Sequence, residues 1–270
     1  MISSDQIETK IICCKALINL MADPEMYGQM VKDGAIWGFS NLATQDPYLL
    51  QVCSKALACL SYDFAGPMLE SSSTVKTAIH LVNQVDDKDL QRCGGTILLN
   101  LLQHSDSEVP AFRKYVVSHM RPLAESHDEE CNEMAIHILS KLSDFPDCTE
   151  QIVSSGMLQV IDAGSIFNKK KLAVAYLTMF GNISNDEGMR IKVLNDRTID
   201  KFQQICMNDD KSTDLIVIKT VYSLSCSKEN ILHLANTGAL GLMEMVWGQE
   251  YKKDDDFANY ILAILFNMTT

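Results

Sequence analysis

The sequence Lys15-Ala16-Leu17-Ile18-Asn19-Leu20 returns in modified form along the whole chain. Clear copies lie at 97–101, 180–183 and 265–268, and weaker copies lie at 56–60, 138–142 and 221–224. The closing apolar residues of the seven copies stand at positions 20, 60, 101, 142, 183, 224 and 268. A nearly constant period of about 41 residues is typical of a stacked helical repeat.

Each copy contains an apolar stripe with helical spacing. When the copies are aligned on their closing residue as position 0, positions −7, −3 and 0 are apolar or small in all seven. Because residues spaced i, i+4 and i+7 share one face of an α-helix, each copy predicts an amphipathic helix with a buried face. Position −1 is polar in six of the seven copies, so we expect it at the rim of that face.

Glycines and capping residues mark the ends and starts of helices in the segments between the copies. Gly34, Gly156 and Gly238 each follow a short amphipathic segment, where a left-handed glycine can end one helix before the next begins. Asp23-Pro24 and Asp46-Pro47 each place a capping carboxylate before a proline at the first helical position. Each unit therefore predicts a short helix, a glycine corner, a second helix, a polar turn and a long third helix.

Composition excludes several classes of partner. The 270 residues are 47% hydrophobic, which is enough for a continuous core and too high for a disordered chain. A net charge of −12 argues against nucleic acid and against an anionic membrane surface, because both require a cationic protein surface. The sequence contains no run of 18 apolar residues, which a membrane-spanning helix would require.

The cysteines indicate a reducing compartment. Nine cysteines occur, their number is odd, and none belongs to a C-x-x-C motif. The first residues are polar and do not resemble a secretory signal. We therefore expect a cytoplasmic or nuclear protein whose thiols are reduced and act as small core hydrophobes.

The pattern of three helices per repeat, with Gly-Ala-Ile at the second helix and Ala-Leu-x-Asn-Leu in the third, resembles the armadillo repeat over the whole chain. The resemblance implies an all-α fold, a right-handed superhelix of α-α repeats whose third helices line a concave groove. It implies a single domain, 1–270, with a partial repeat at 5–21 and full repeats near 23–62, 63–102, 105–143, 146–184, 186–226 and 228–269. The unit at 105–143 lacks a glycine corner, so a two-helix HEAT repeat is the alternative there, and 107–120 is expected as a lengthened first helix.

The armadillo resemblance also implies a peptide-binding site. In that family the third-helix Asn binds the backbone of an extended peptide, since a carboxamide can satisfy both a C=O and an N–H group. The alternative is an Asn that is solvated or bonds the neighbouring repeat. The matching residues are Asn19, Asn100, Asn182 and Asn267.

Position −5 distinguishes the chain from nuclear import receptors of the family, which place a Trp there to stack on lysines of the cargo. No copy has that Trp. Trp37 and Trp247 fall in the predicted second helices, and we expect them in the core. A receptor of the importin type is therefore not expected.

Basic residues instead occupy the predicted groove of an otherwise acidic chain. A cationic groove suits acidic or phosphorylated partner segments. The alternative is that these lysines are ordinary exposed residues of helix faces. The candidates, together with a serine at position −1, are Lys15, Lys55, His137, Lys141, Lys219 and Ser223.

Catalytic motifs are not found. The chain contains no G-x-G-x-x-G and no Walker sequence, and its six histidines are scattered. Two potential ligands, His127 and Cys131, are too few for a zinc site. We expect no catalytic residue, metal or cofactor.

The terminal repeats lack the polar outer face of a capping repeat. Ile11, Ile12 and Ile261 are expected on faces without a neighbour. This pattern predicts a fragment of a longer array, or ends that dock on a partner. We therefore predict a non-enzymatic scaffold or adaptor that binds an extended, acidic peptide segment in its groove. The alternative is a structural element that assembles through its terminal repeats.

Overall fold

The computed structural model describes residues 6–104, 110–161, 169–195, 197–208, 210–248 and 255–269. Every regular element in these ranges is helical, so the predicted all-α class is confirmed. The chain divides into two compact units, residues 1–138 and 139–270. The single-domain boundary of 1–270 therefore stays a prediction.

The first unit contains the predicted orphan third helix and the helices that follow it. A 3-10 turn, Pro24–Met26, leads into the second of these helices. The tenth helix crosses into the second unit. The helices are α1 (Ile7–Leu20), α2 (Tyr27–Lys32), α3 (Ala35–Leu42), α4 (Pro47–Ser61), α5 (Ala65–Glu70), α6 (Ser72–Val82), α7 (Lys88–His104), α8 (Pro110–Ser118), α9 (Arg121–Ala124) and α10 (Glu129–Ser143).

The second unit continues the same order of short, second and long third helices. Its long helices end at or within two residues of the predicted closing positions. The helices are α11 (Pro146–Ser154), α12 (Met157–Val160), α13 (Lys170–Asn185), α14 (Glu187–Val193), α15 (Thr198–Cys206), α16 (Lys211–Ser225), α17 (Lys228–Asn236), α18 (Ala239–Gly248) and α19 (Asp255–Thr269).

The predicted corners and caps form as the sequence indicated. Gly34, Gly156 and Gly238 have φ values of 88°, 72° and 89°, a left-handed conformation that residues with a Cβ rarely adopt. The Asp46 carboxylate accepts hydrogen bonds from the backbone N–H groups of Tyr48 and Leu49, which are otherwise unpaired at the start of α4.

In the described residues of the unit at 105–143 there are three helices, α8, α9 and α10. Its second helix, α9, is a single turn, and no left-handed glycine precedes it. The sequence predicted a lengthened first helix at 107–120. In the described residues the corresponding helix, α8, spans only Pro110–Ser118. The part of that prediction that concerns residues 107–109 lies outside the described residues.

The third helices pack side by side in each unit and bury their apolar stripe. In the first unit α4 packs on both α1 and α7, and in the second unit α16 packs on both α13 and α19. Positions −7, −3 and 0, called the inward face from here on, are buried in all five internal copies. In the second unit this face contributes to an aromatic cluster. The ring centroid of Phe180 lies 4.7 Å from that of Tyr176 and 5.7 Å from that of Phe202.

The first and last copies bury this face less completely. Leu20 is 45% exposed and Leu265 is 39% exposed, although the same positions are fully buried in the internal copies. The Cys14 thiol is the one buried side chain of α1, and its Sγ lies 3.5 Å from Cys53 Sγ. Ile12 is 67% exposed, as expected for a face without a neighbour. Ile261 is buried, so that prediction was wrong, because α16 packs against α19.

The predicted core position of the two tryptophans was also wrong. Trp37 is 59% exposed and Trp247 is 38% exposed. In α3 the buried side is formed by neighbours such as Ile36 and Phe39. That helix is apolar around most of its circumference, so its sequence does not show which side is buried.

All nine cysteines lie in the described residues and are free thiols. Five of them are buried, in agreement with the expectation that they act as small core hydrophobes.

Candidate groove on the third helices

The predicted site residues all lie on third helices, at positions −5 and −1, and we call these positions the groove face. Every one of the ten is at least partly accessible to solvent. Lys15, Asn19, Lys55, Lys141 and Lys219 are exposed, and Asn100, His137, Asn182, Ser223 and Asn267 are half-buried.

Three of the four predicted asparagines bond the preceding third helix. Asn100 Nδ2 on α7 lies 2.8 Å from Ser61 Oγ on α4. In the second unit Asn182 Nδ2 lies 3.1 Å from Ser143 Oγ, and Asn267 Nδ2 lies 2.9 Å from Ser225 Oγ. Each serine is the residue that directly follows the closing residue of its own copy, at position +1.

The three serines also bond within their own helices. The hydroxyls of Ser61, Ser143 and Ser225 donate to the carbonyl oxygens of Ala58, Ser140 and Tyr222, at 2.7, 2.6 and 2.7 Å. Since a hydroxyl has one hydrogen, each serine can then only accept from the asparagine. The asparagine must therefore present Nδ2 to the serine, which sets the orientation of its amide. We call each Asn–Ser–carbonyl chain a relay.

At Asn182 the relay leaves one specific group on the groove face. Asn182 Nδ2 also donates to Asp144 Oδ1 at 2.7 Å, so both of its N–H groups are used. The Oδ1 atom of Asn182 is then the group left for a partner, and it is a hydrogen-bond acceptor.

Other copies have no relay. Cys59 on α4 is exposed, and Ser223 Oγ on α16 instead donates to Asn185 Oδ1 at 3.4 Å. Asn19 on α1 is exposed. The row is therefore interrupted, and its asparagines differ in their surroundings.

Two predicted lysines lie against tyrosines. Lys15 Nζ is 5.6 Å from the centroid of the Tyr48 ring, and Lys219 Nζ is 5.6 Å from that of Tyr260. Both distances are within the range of a cation–π contact. Tyr260 in turn meets Tyr222 edge to face, with 5.5 Å between the ring centroids.

The second unit contains a cavity of about 440 Å³ on its groove face. It lies between α13, α16 and α19, and it brings together three predicted residues, Asn182, Lys219 and Ser223. Its other lining residues were not predicted: Thr178, Gly181, Asn185, Ile216, Thr220, Tyr222 and Tyr260.

The relay serines were missed as well. Extending the alignment by one residue to position +1 finds Ser in four of the seven copies, and this signal would have pointed to them. Nothing in the periodicity marks Tyr260, because it approaches Lys219 from the next repeat.

Neither a metal-binding group nor a membrane-spanning helix is found among the described residues. These contain no group of three or more His, Cys, Asp or Glu side chains placed to hold a metal ion. None of the described helices is both long and apolar enough to cross a bilayer.

Comparison with solved structures identifies the type of fold. An engineered protein from the Northeast Structural Genomics Consortium is 14% identical with a TM-score of 0.65, over 87% of this chain and 97% of that chain. A designed armadillo repeat protein, YIII(Dq)4CqI, is 10% identical with a TM-score of 0.63, over 85% of this chain and 98% of that chain. No protein-family model and no curated protein matches the sequence. The chain therefore has an armadillo-like helical-repeat fold.

Proposed function

We propose that the protein is a non-enzymatic scaffold that binds an extended peptide segment of another protein along the groove face of its third helices. The observation that supports this proposal is the relay, which orients Asn100, Asn182 and Asn267 by bonds from Nδ2. An extended peptide has unpaired backbone N–H groups, and an oriented carboxamide oxygen can accept from them.

The proposal includes a reducing compartment, the cytoplasm or the nucleus. Nine free thiols in one chain, two of them exposed at Cys59 and Cys226, suit a compartment that keeps thiols reduced. The proposal involves no cofactor.

The proposal is tested with a displayed library of random dodecapeptides selected on the intact protein. Enriched peptides are synthesised with a fluorescent label, and their Kd is measured by anisotropy. Asn182→Ala should weaken binding about five- to tenfold, the effect of one hydrogen bond. Asn100→Ala is measured in parallel for the first unit.

A matched control removes a carboxamide elsewhere. Gln159 is exposed on α12, a second helix, so Gln159→Ala should leave Kd unchanged. Helical circular dichroism verifies that each variant is folded. Failure to enrich any peptide, or equal binding by the asparagine variants, would exclude the groove function.

A second candidate function is assembly through the terminal helices. Leu262 and Phe266 on α19 are 64% and 65% exposed, and Ile12 on α1 is 67% exposed. Apolar side chains exposed together on one helix are typical of surfaces that bind another protein. Light scattering over a hundredfold range of concentration tests this candidate. Growth that Phe266→Ser abolishes would support it, whereas a monomer throughout would exclude it.

A further inference from the structure

The cavity on the groove face of the second unit has the size of a binding pocket. Its volume of about 440 Å³ falls within the range of pockets that bind small ligands or side chains. We call it the Lys219 pocket. Because it lies between three adjacent third helices, a segment that follows the groove face passes its opening.

The charge of the pocket has one sign. Lys219 is the only ionised side chain among its ten lining residues. The Lys219 ammonium group lies over the Tyr260 ring, and Tyr260 is held edge to face by Tyr222. An ammonium group placed over a ring retains N–H groups that point away from it, and these can bind an anionic oxygen.

The remaining lining residues suit a short polar head on an apolar stem. Ile216 and the two tyrosine rings provide apolar wall. Ser223 Oγ donates to Asn185 Oδ1, which leaves Asn185 Nδ2 as a donor among the lining groups. An ion pair beside apolar walls is stronger than one in open water, because the effective dielectric constant is lower.

Charged groups of both signs lie beside the pocket, outside its lining. Asp144 accepts from Asn182, and Asp186 accepts from the N–H group of Gly188 at the start of α14. Arg190 donates to the carbonyl oxygens of Ser184 and Asn185 at the end of α13, and so adds positive charge beside the pocket.

We propose that the Lys219 pocket binds one anionic side chain, a carboxylate or a phosphate group, of the extended segment that occupies the groove. This inference rests on the proposed function and adds a position at which the partner must be acidic. The oxygens of the anion pair with Lys219 Nζ, and its methylene stem packs against Tyr222 and Tyr260.

The experiment uses the labelled peptides enriched in the library selection. Each position is replaced in turn by Glu, phosphoserine, Gln and Lys, and Kd is measured with the intact protein. At one position Glu or phosphoserine should bind at least fivefold more tightly than Gln, and Lys should bind most weakly. The better of the two anions distinguishes a carboxylate ligand from a phosphorylated one.

Two pocket variants and one control variant assign that preference to the pocket. Lys219→Gln should abolish the difference between the anionic peptide and the Gln peptide, whereas Lys171→Gln, which removes an exposed lysine at the start of α13, should retain it. Gly181→Leu should weaken the anionic peptide about tenfold by filling the cavity. A Cβ at Gly181 meets Thr220 Oγ1 at 3.5 Å, an ordinary contact, and helical circular dichroism verifies that the leucine variant is folded.

The outcomes separate this inference from the proposed function. Peptides that bind through Asn182 but show no anionic preference, or keep it in Lys219→Gln, overturn the pocket and leave the groove function standing. A library that enriches no peptide overturns both.

Discussion

At position −7 the third helices hold Gly94, Ala135, Tyr176 and Val217, side chains of very different size, and all four are buried. At position −1, three of the seven side chains, Asn100, Asn182 and Asn267, each meet a serine of the preceding third helix. On the inward face, the residues thus differ in size between these copies, but all of them are buried. In the copies that have a relay, particular hydrogen bonds fix the side chain of the groove face.

The two faces differ because they satisfy different requirements. Apolar contact is not directional, so a large residue on one helix can be balanced by a small one on its neighbour. A relay requires a donor and an acceptor at hydrogen-bond distance, so both residues must be present together. Substitutions on the two faces should therefore differ in size and sign.

The largest effect is expected for Gly94→Ala on the inward face. A Cβ at this position would lie 2.7 Å from Ala78 O and 2.8 Å from Val82 N, both backbone atoms of α6. Because backbone cannot move aside as a flexible side chain can, we expect a loss of about 3 kcal/mol in the free energy of unfolding. Urea denaturation followed by circular dichroism measures it. A loss below about 0.5 kcal/mol would show that α6 and α7 are not so closely packed.

A smaller effect is expected where an ion pair joins the starts of two third helices. Arg92 on α7 donates to Asp128, with 2.7 Å between Arg92 Nη2 and Asp128 Oδ2, and Asp128 also accepts from the N–H of Cys131. Asp128→Asn keeps the cap and removes the charge, so we expect a loss of about 1–2 kcal/mol at pH 7. Asp128→Ala should lose more, since the cap is then removed too.

The same pair predicts a pH dependence. The Arg92 guanidinium holds the pKa of the Asp128 carboxyl well below its usual range. A carboxyl group with a depressed pKa stabilises the fold fully above its unfolded pKa of about 4, and this contribution is lost as the pH falls further. The stability difference between the wild type and Asp128→Asn should shrink below pH 4. A constant difference from pH 7 to pH 2.5 would contradict the ion pair.

Each relay should contribute less to the free energy of unfolding than either the close packing at Gly94 or the ion pair of Arg92 and Asp128. In a double-mutant cycle of Ser61→Ala and Asn100→Ala we expect a coupling energy of about 1 kcal/mol, because one hydrogen bond joins the two helices. Cys59→Ala on the same face serves as the comparison, since Cys59 is exposed, and it should change stability by less than about 0.5 kcal/mol. Additive single effects at positions 61 and 100 would mean that the relay adds no stability.

The smallest effect, and one of opposite sign, is expected for Gly181→Ala beside the groove face. The added methyl group meets only Thr220 Oγ1, at 3.5 Å, and it favours the helix by restricting the unfolded chain. We expect a gain of about 0.5–1 kcal/mol. Urea denaturation alongside Gly94→Ala gives a direct contrast of the two faces, and a loss at Gly181 would contradict it.

Much of the fold follows from the amino-acid sequence alone. The apolar stripe ending at Leu60, Leu101, Ile183 and Leu224 is a local pattern, and a helix that carries it must bury one face. The glycine corners are local too, because glycine adopts the positive φ found at Gly34 without strain. The Asn row and the serines at position +1 were also visible in the sequence, but the hydrogen bonds between them were not.

What required the tertiary structure was the register between neighbouring repeats. The asparagine and serine of each relay are 39–42 residues apart, and only the packing of one third helix on the next brings them within 3.1 Å. The same packing carries Tyr260 to Lys219 and leaves Trp37 in solvent. Local periodicity thus determined which residues form the helices and which faces those helices have. Contacts between repeats decided the relays, the Lys219 pocket and the exposure of Trp37. The sequence period of one helix does not encode the distances to residues on another helix.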